Sequence, residues 1–226
     1  GHFMRDDVQE DITEQTAGGY LALGFLALWV TRRHLRRVGR HLLHGDAFPD
    51  EGREPFSYRV AVGGLVGGSI FVAVFCLYAG MSLWAIVAFF SIYMLLSVAV
   101  SRMRAELGTP VHDLHYAGPE QMMTMAGGTR AIGARNLTMM SLFWFLTRAY
   151  RSHPMPHQLE GFKMAERVRL DNRRLVWAMT IAVVLGGVAC FWAFLDLAYR
   201  YGATNQIVGA TFIFGNEAFS RLQGWM

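Results

Sequence analysis

The feature that most constrains this chain is a run of 42 residues, 60 to 101, without a single Asp, Glu, Lys, Arg or His. A short predicted hairpin at residues 79–82, Ala-Gly-Met-Ser, divides this run into two apolar tracts, 60–78 and 83–101. A third apolar tract covers 175–195. An α-helix rises about 1.5 Å per residue, so about 20 residues cross a hydrocarbon core of ~30 Å. Each tract can therefore span a bilayer, and three together argue against a soluble protein.

A shorter apolar tract, 17–31, runs directly into the arginines and histidine of 32–37. Long Arg side chains reach the interface from a helix that is slightly short, so we predict a fourth crossing there. Charged residues are only 17% of the chain, below the roughly 25% of soluble domains. The predicted fold class is all-α: a polytopic transmembrane helical bundle of four spanning helices with short half-helices or re-entrant segments.

Arginines predict the topology. Two regions are rich in Arg: a predicted cytoplasmic loop at 32–59, and a broken polar region at 102–174 in which the apolar stretch 137–147 is too short to span. The positive-inside rule places both on the cytoplasmic side. With four alternating crossings, tracts 17–31 and 83–101 then run in the same direction, towards the cytoplasm.

Small residues mark one predicted helix-packing face. Gly63, Gly64, Gly67 and Gly68 form two overlapping small-x-x-x-small patterns. Without Cβ atoms such a face lets a second helix approach closely. The simpler alternative is that Gly is common in membrane helices.

The end of the second long tract carries the first polar cluster. Arg102 and Glu106 are one helical turn apart, which predicts an ion pair on one face. Arg102, Arg104 and Glu106 could together bind an anionic group, because guanidinium groups grip carboxylates bidentately. The alternative is an anchor at the membrane interface.

Histidines and carboxylates define two further clusters. His112, Asp113 and His115 are metal-ligand residue types, but they could equally serve a substrate, a proton or a solvated loop. Pro156 predicts a helix start near 155–157, which would bring His157 and Glu160 within one turn. That segment could also be an amphipathic surface helix.

Near the end of the chain, Glu217 follows Gly215 and Asn216 in an apolar stretch. This pattern indicates either a broken helix or the outer interface. No nucleotide loop or haem motif occurs, so no cofactor is predicted. The net charge of +4 fits a membrane protein better than a nucleic-acid partner.

Long motifs carry a family resemblance: RMRAELGTPVHDLHYAGPEQ from Arg102, RAYRSHPMPHQLEGFKMAERV from Arg148, and EPFSYRVAVGGL with AGMSLWAIVAFF before them. They resemble the middle of large multi-pass bacterial membrane proteins, a domain of unknown function. Size and hydropathy are similar to those of oligopeptide transporters, and Gly1-His-Phe-Met-Arg5 faintly resembles their Gly-His-Tyr-Met-Lys motif. The resemblance implies that residues 1–226 are one membrane-embedded segment of a longer protein in the bacterial inner membrane.

The favoured hypothesis is a segment of a secondary transporter for peptides or small organic anions, without covalent chemistry. Its partners would be the lipid bilayer, the remaining helices of the parent protein and, in a homo-oligomer, further copies. The second hypothesis is a structural or accessory subunit of a membrane complex. The third is an intramembrane metal enzyme that uses the following residues: His112, Asp113, His115, His153, His157 and Glu160.

Overall fold

The computed structural model describes residues 3–45, 54–108, 118–148, 150–202 and 210–226, and every regular element in these ranges is helical. In chain order the helices are α1 (Phe3–His44), α2 (Tyr58–Tyr78), α3 (Leu83–Leu107), α4 (Pro119–Ile132), α5 (Ala134–Leu142), α6 (Trp144–Thr147), α7 (Pro154–Arg167), α8 (Asn172–Tyr201) and α9 (Ala210–Trp225). A 3-10 turn, Tyr150–Ser152, precedes α7. The all-α prediction is confirmed.

Local signals in the sequence set several helix ends. The side chain of Ser57 accepts a hydrogen bond from Val60 N at 3.4 Å at the start of α2. Asp171 does the same for Arg173 N at 3.0 Å at the start of α8. Both satisfy backbone N–H groups that have no partner within the helix. Gly108 ends α3 in the left-handed conformation, with φ 63°, which glycine adopts without steric cost.

Within the described part of the chain, three helices are long and apolar enough to cross a membrane: α2, α3 and α8. They coincide with the predicted tracts 60–78, 83–101 and 175–195. The predicted fourth crossing, 17–31, lies inside α1 and remains a prediction. The loop predicted over 32–59 is shorter than expected, because α1 continues to His44. Val38 and His41 are buried in this part of α1, and burial of these side chains stabilises the helix through the Arg-rich segment.

Helix α3 lies at the centre of the fold, and α1, α2, α4 and α7 pack against it. One apolar cluster joins its first half to α2, α4 and α5 through the following residues: Cys76, Met81, Ala85, Ile86, Phe89, Met123, Ile132, Leu137, Met139, Met140 and Phe143. A second cluster joins its other half to α1 and the 3-10 turn through Ala17, Leu96, Val100 and Tyr150.

The contact between α1 and α3 is close and antiparallel. Gly24 faces the backbone of Leu95, and the Tyr20 hydroxyl lies 3.7 Å from Met103 Sδ. Residue numbers therefore rise along α1 while they fall along α3. The predicted alternation of four crossings runs 17–31 and 83–101 in the same direction, so the observed packing disagrees with that part of the predicted topology.

Short helices fill the region between α3 and α7. Helix α4 is kinked at Gly128, with φ 72° and ψ 154°, and ends at Gly133, with φ 81°. Phe143 separates α5 from α6. In its described part between 118 and 148, the predicted broken polar region is thus a series of short helices joined at residues with non-helical backbone angles.

Two of the long apolar helices leave much of their surface open. Over its whole length, Asn172–Tyr201, the described helix α8 has no buried residue. On α2, nothing among the described residues lies within 4 Å of a Cβ built at Gly63, Gly64, Gly67 or Gly68. The predicted helix-packing face is therefore unoccupied within the described parts of this chain, and its partner stays a prediction.

Candidate functional site

The end of α3 carries the polar residues predicted as a substrate site. Arg102 and Glu106 form the expected ion pair at the surface. Arg104 instead reaches Glu160 on α7, donating from Nε to Oε1 at 2.6 Å and from Nη2 to Oε2 at 2.9 Å. This bidentate pair ties α3 to α7 and occupies two of the Arg104 donors. The structure thus brings together two predicted site residues from distant parts of the chain, and their role towards a substrate stays a prediction.

The predicted histidine clusters are only partly visible. His112, Asp113 and His115 lie outside the described residues. His153 caps α7, where its Nδ1 accepts from Met155 N at 3.3 Å. His157 lies one turn before Glu160 on α7, as predicted, and its Nε2 donates to the Arg151 carbonyl at 3.0 Å.

Metal binding was the third hypothesis. Among the described residues no group of three or more His, Cys, Asp or Glu side chains could hold a metal ion. The cluster proposed for the metal enzyme includes three residues outside the described ranges, so that prediction remains untested.

A buried carboxylate lies where α4 begins. Glu120 follows Pro119 in the first turn of α4 and is 1% exposed. Its side chain folds back over Gly118, where a Cβ atom would overlap Oε1. Within the described residues neither carboxylate oxygen accepts a hydrogen bond of normal geometry, and the buried hydroxyls of Thr147 and Tyr150 also lack one. We call Glu120, Thr147, Tyr150 and Arg221 the Glu120 site.

Arg221 brings a positive charge to this site from α9. Its Nη2 lies 3.7 Å from Glu120 Oε1 and 3.3 Å from the Gln121 side-chain oxygen. The guanidinium carbon stacks 3.8 Å above the Trp144 ring centroid and 5.4 Å from that of Trp225. Arg221 is therefore held by polar and cation–π contacts together, and Glu120 contributes only a loose ion pair.

A second ion pair holds α9, and in this pair the acidic residue lies on α9. Glu217 of α9 accepts from Arg148 Nε at 2.7 Å and from Trp144 Nε1 at 3.1 Å. The Ser141 hydroxyl donates to the Ala218 carbonyl. Helix α9 thus docks on the α4–α6 region through an acidic and a basic residue one turn apart. Glu217 is half-buried at this contact, inside the helix Ala210–Trp225, and its place relative to the membrane interface stays a prediction.

The Glu120 site borders the middle of α3. Tyr150 packs with Leu96 and Val100, and its ring centroid is 6.0 Å from that of Tyr93. These contacts run from Tyr93 to Val100, so the site lies beside the part of α3 that leads up to Arg102, where the predicted span ends.

Burial dominates the electrostatics of the site. It raises the pKa of the Glu120 carboxyl group above its ordinary value, and Arg221, the Glu120 backbone amide and the Thr147 hydroxyl offset only part of that shift. Burial also raises the pKa of the Tyr150 hydroxyl, with the Glu120 charge adding to the shift. Tyr150 therefore stays protonated, whereas Glu120 is the group that can exchange a proton.

Sequence reasoning missed the Glu120 site. A Glu just after Gly118-Pro119 is typical of an exposed first helical turn, and Arg221 is separated from it by 100 positions. The nearest signal is Glu217, an acidic residue in an apolar stretch that marks the docked helix.

Residues 4–226 match a family of unknown function, DUF6785, and the chain belongs to that family. Comparison with curated proteins and with solved structures gives no match.

Proposed function

We propose that this member of DUF6785 forms a membrane-embedded segment of a secondary transporter for peptides or small organic anions. The observation that supports it most is Glu120, an ionisable residue 1% exposed among apolar helices. Ionisable residues in such surroundings are costly, and they commonly mark substrate, ion or proton pathways.

The broken helices beside α3 also support a transporter. Secondary transporters form their binding sites from discontinuous helices, whose freed backbone groups contact ions and substrates. Here Gly128 and Gly133 depart from helical geometry between short helices. The bidentate pair of Arg104 and Glu160 lies at the end of α3. A substrate carboxylate would bind Arg104 in place of the Glu160 carboxylate.

Reconstitution of the full-length protein in liposomes tests this proposal. Uptake of labelled di- and tripeptides and of small mono- and dicarboxylates would be followed under imposed pH and sodium gradients. We expect at least one class to accumulate above protein-free liposomes, and Arg104→Gln to abolish that excess. If every compound stays at the background of protein-free liposomes, the proposal is wrong.

One observation favours the second candidate, a structural or accessory subunit. Over its described length α8 has no buried residue, and the four-glycine face of α2 is open. Such surfaces suit contacts with other membrane helices. Gly67→Leu would then reduce the amount of partner, or second copy, that copurifies after cross-linking in membranes. Val66→Leu, beside it on the exposed surface, is the matched control, and equal yields from both variants would count against this candidate.

The proposed location is the bacterial inner membrane, with the Arg-rich residues 102–174 in the cytoplasm. The positive-inside rule predicts the Arg-rich end of α1 there too, whereas two antiparallel spans, α1 and α3, would have it on the other side. Single cysteines at Gly45 and Gly108, with Cys76 and Cys190 replaced, decide between the two. Labelling of Gly108→Cys from outside intact cells would exclude the proposed orientation.

A further inference from the structure

Glu120 lies in surroundings that accommodate a neutral carboxyl group better than a charged one. Its side chain is 1% exposed, and within the described part of the chain neither oxygen accepts a hydrogen bond of normal geometry. A buried carboxylate without such bonds carries a large desolvation penalty. A protonated carboxyl group has an O–H donor for the neighbouring hydroxyl oxygens of Thr147 and Tyr150.

Arg221 provides the opposing influence. Its charge lies 3.7 Å from Glu120 Oε1, which favours the carboxylate. At 20% side-chain exposure, Arg221 also forms the more solvent-accessible side of the site. The two protonation states of Glu120 are thus favoured by different features of the site. Burial favours the neutral acid, and the charge of Arg221 favours the carboxylate.

We propose that Glu120 binds and releases a proton, and that release of the proton loosens the contact between α4 and α9. The carboxyl O–H bond breaks, H⁺ passes to water, and the charge of the side chain changes from 0 to −1. Arg221, 3.7 Å away, balances this buried charge only in part, so the carboxylate favours an open contact that admits water. Arg221 keeps its charge and remains supported by Gln121 and the Trp144 ring.

Other titratable or charged groups also lie near the site. Arg148 and Glu217 form an ion pair with each other. His153 stacks on the Tyr150 ring at 5.9 Å between centroids and uses Nδ1 as an acceptor. The titratable or charged groups around the site come from α3, the 3-10 turn, the α7 cap, the end of α6 and α9. They are Tyr93, Tyr150, His153, Arg148, Glu217 and Arg221.

Burial raises the pKa of Glu120 above its ordinary value of 4.5 despite Arg221, which agrees with the geometric argument. In a transporter this proton would serve as the coupling ion, and that role rests on the proposed function. Proton binding and the loosening of α9 do not depend on it.

Infrared titration of the full-length protein in detergent tests proton binding without any substrate. The carbonyl band of the protonated acid should appear as pH falls, with a midpoint above the ordinary Glu value. Glu120→Gln should remove this band, whereas Glu166→Gln, in an exposed pair with Lys163, should keep it. Arg221→Gln should raise the midpoint by about 1–3 pH units, because the nearby cation is gone.

Hydrogen exchange tests the loosening of α9. Glu120→Gln imitates the neutral acid, so exchange of α9 amides at high pH should be about fivefold slower than in the wild type, because the variant has no buried charge at this contact. The difference should vanish below the wild-type midpoint.

A band that titrates in the ordinary Glu range, or that survives in Glu120→Gln, would overturn the proposal. If Glu120→Gln does not fold, an unchanged midpoint in Arg221→Gln would overturn it instead. A normal titration without any transport would leave the proton site standing and remove the transporter. Transport together with an ordinary Glu titration would leave the transporter standing and remove the proton site.

Discussion

Replacing Gly24 by Ala tests how closely α1 approaches α3. A Cβ atom at Gly24 would lie 2.6 Å from the Leu95 carbonyl oxygen and 2.8 Å from Leu95 Cγ and Cδ1. The Leu95 side chain can rotate away from the new methyl group. Its carbonyl belongs to the backbone of α3, so α1 itself has to move.

The size of the effect follows from this geometry. Non-bonded carbon atoms rest about 3.5–4.0 Å apart, so the helices must separate locally by roughly 1 Å. Overpacking of a close contact costs about 1–3 kcal/mol, and a backbone clash belongs at the upper end. Ala regains about 1 kcal/mol through its higher helix propensity. We expect Gly24→Ala to lower the free energy of unfolding by about 2 kcal/mol.

Unfolding in mixed micelles, followed by tryptophan fluorescence as the fraction of denaturing detergent rises, measures this change. Gly19→Ala is the matched control on the same helix, because nothing among the described residues lies within 4 Å of its Cβ position. That variant should be as stable as the wild type or slightly more stable. Equal stabilities of Gly24→Ala and Gly19→Ala would refute the packing of α1 against Leu95.

Three further predictions concern the polar contacts and one turn. Glu160→Gln removes the partner of Arg104, so exchange of α7 amides should rise about two- to fivefold; an unchanged rate would mean that the pair does not hold α7. The folded-state pKa of Glu120 is raised, so the wild type loses stability as pH rises from 4.5 through that raised value. Glu120→Gln has no carboxyl group there, so its Tm should rise relative to that of the wild type over the same pH range. A difference in Tm that does not change with pH would contradict the raised pKa. Arg169 has φ 56°, so Arg169→Gly should raise the free energy of unfolding by about 1 kcal/mol, and a lower value would show that its side chain matters more than its backbone.

Much of the fold was predictable because lipid imposes a simple rule on the sequence. Only uninterrupted apolar tracts of about 20 residues cross a bilayer, and the tracts at 60–78, 83–101 and 175–195 became α2, α3 and α8. The pair of Arg102 and Glu106 was equally accessible, since it depends only on helical spacing.

The rest depends on contacts between distant residues, which periodicity does not contain. Arg104 has no acidic residue three or four positions away on α3, and only the docking of α7 brings Glu160 within reach. The sequence around Glu120 is typical of an exposed first helical turn, and the contact with Arg221 of α9 comes from a distant part of the chain. The close approach of α1 to α3 likewise depends on a small residue, Gly24, whose neighbour Leu95 is 71 positions away.

The open surface of α8 has a consequence for biogenesis. Along its described length this helix buries no residue against the rest of the chain, and the turn at Arg169 precedes it. Nothing in the other helices therefore has to be in place before α8 enters the bilayer, because its backbone bonds are internal and its side chains suit lipid. Such a segment can be inserted by the translocation machinery as an independent unit and can find its neighbours afterwards by lateral diffusion.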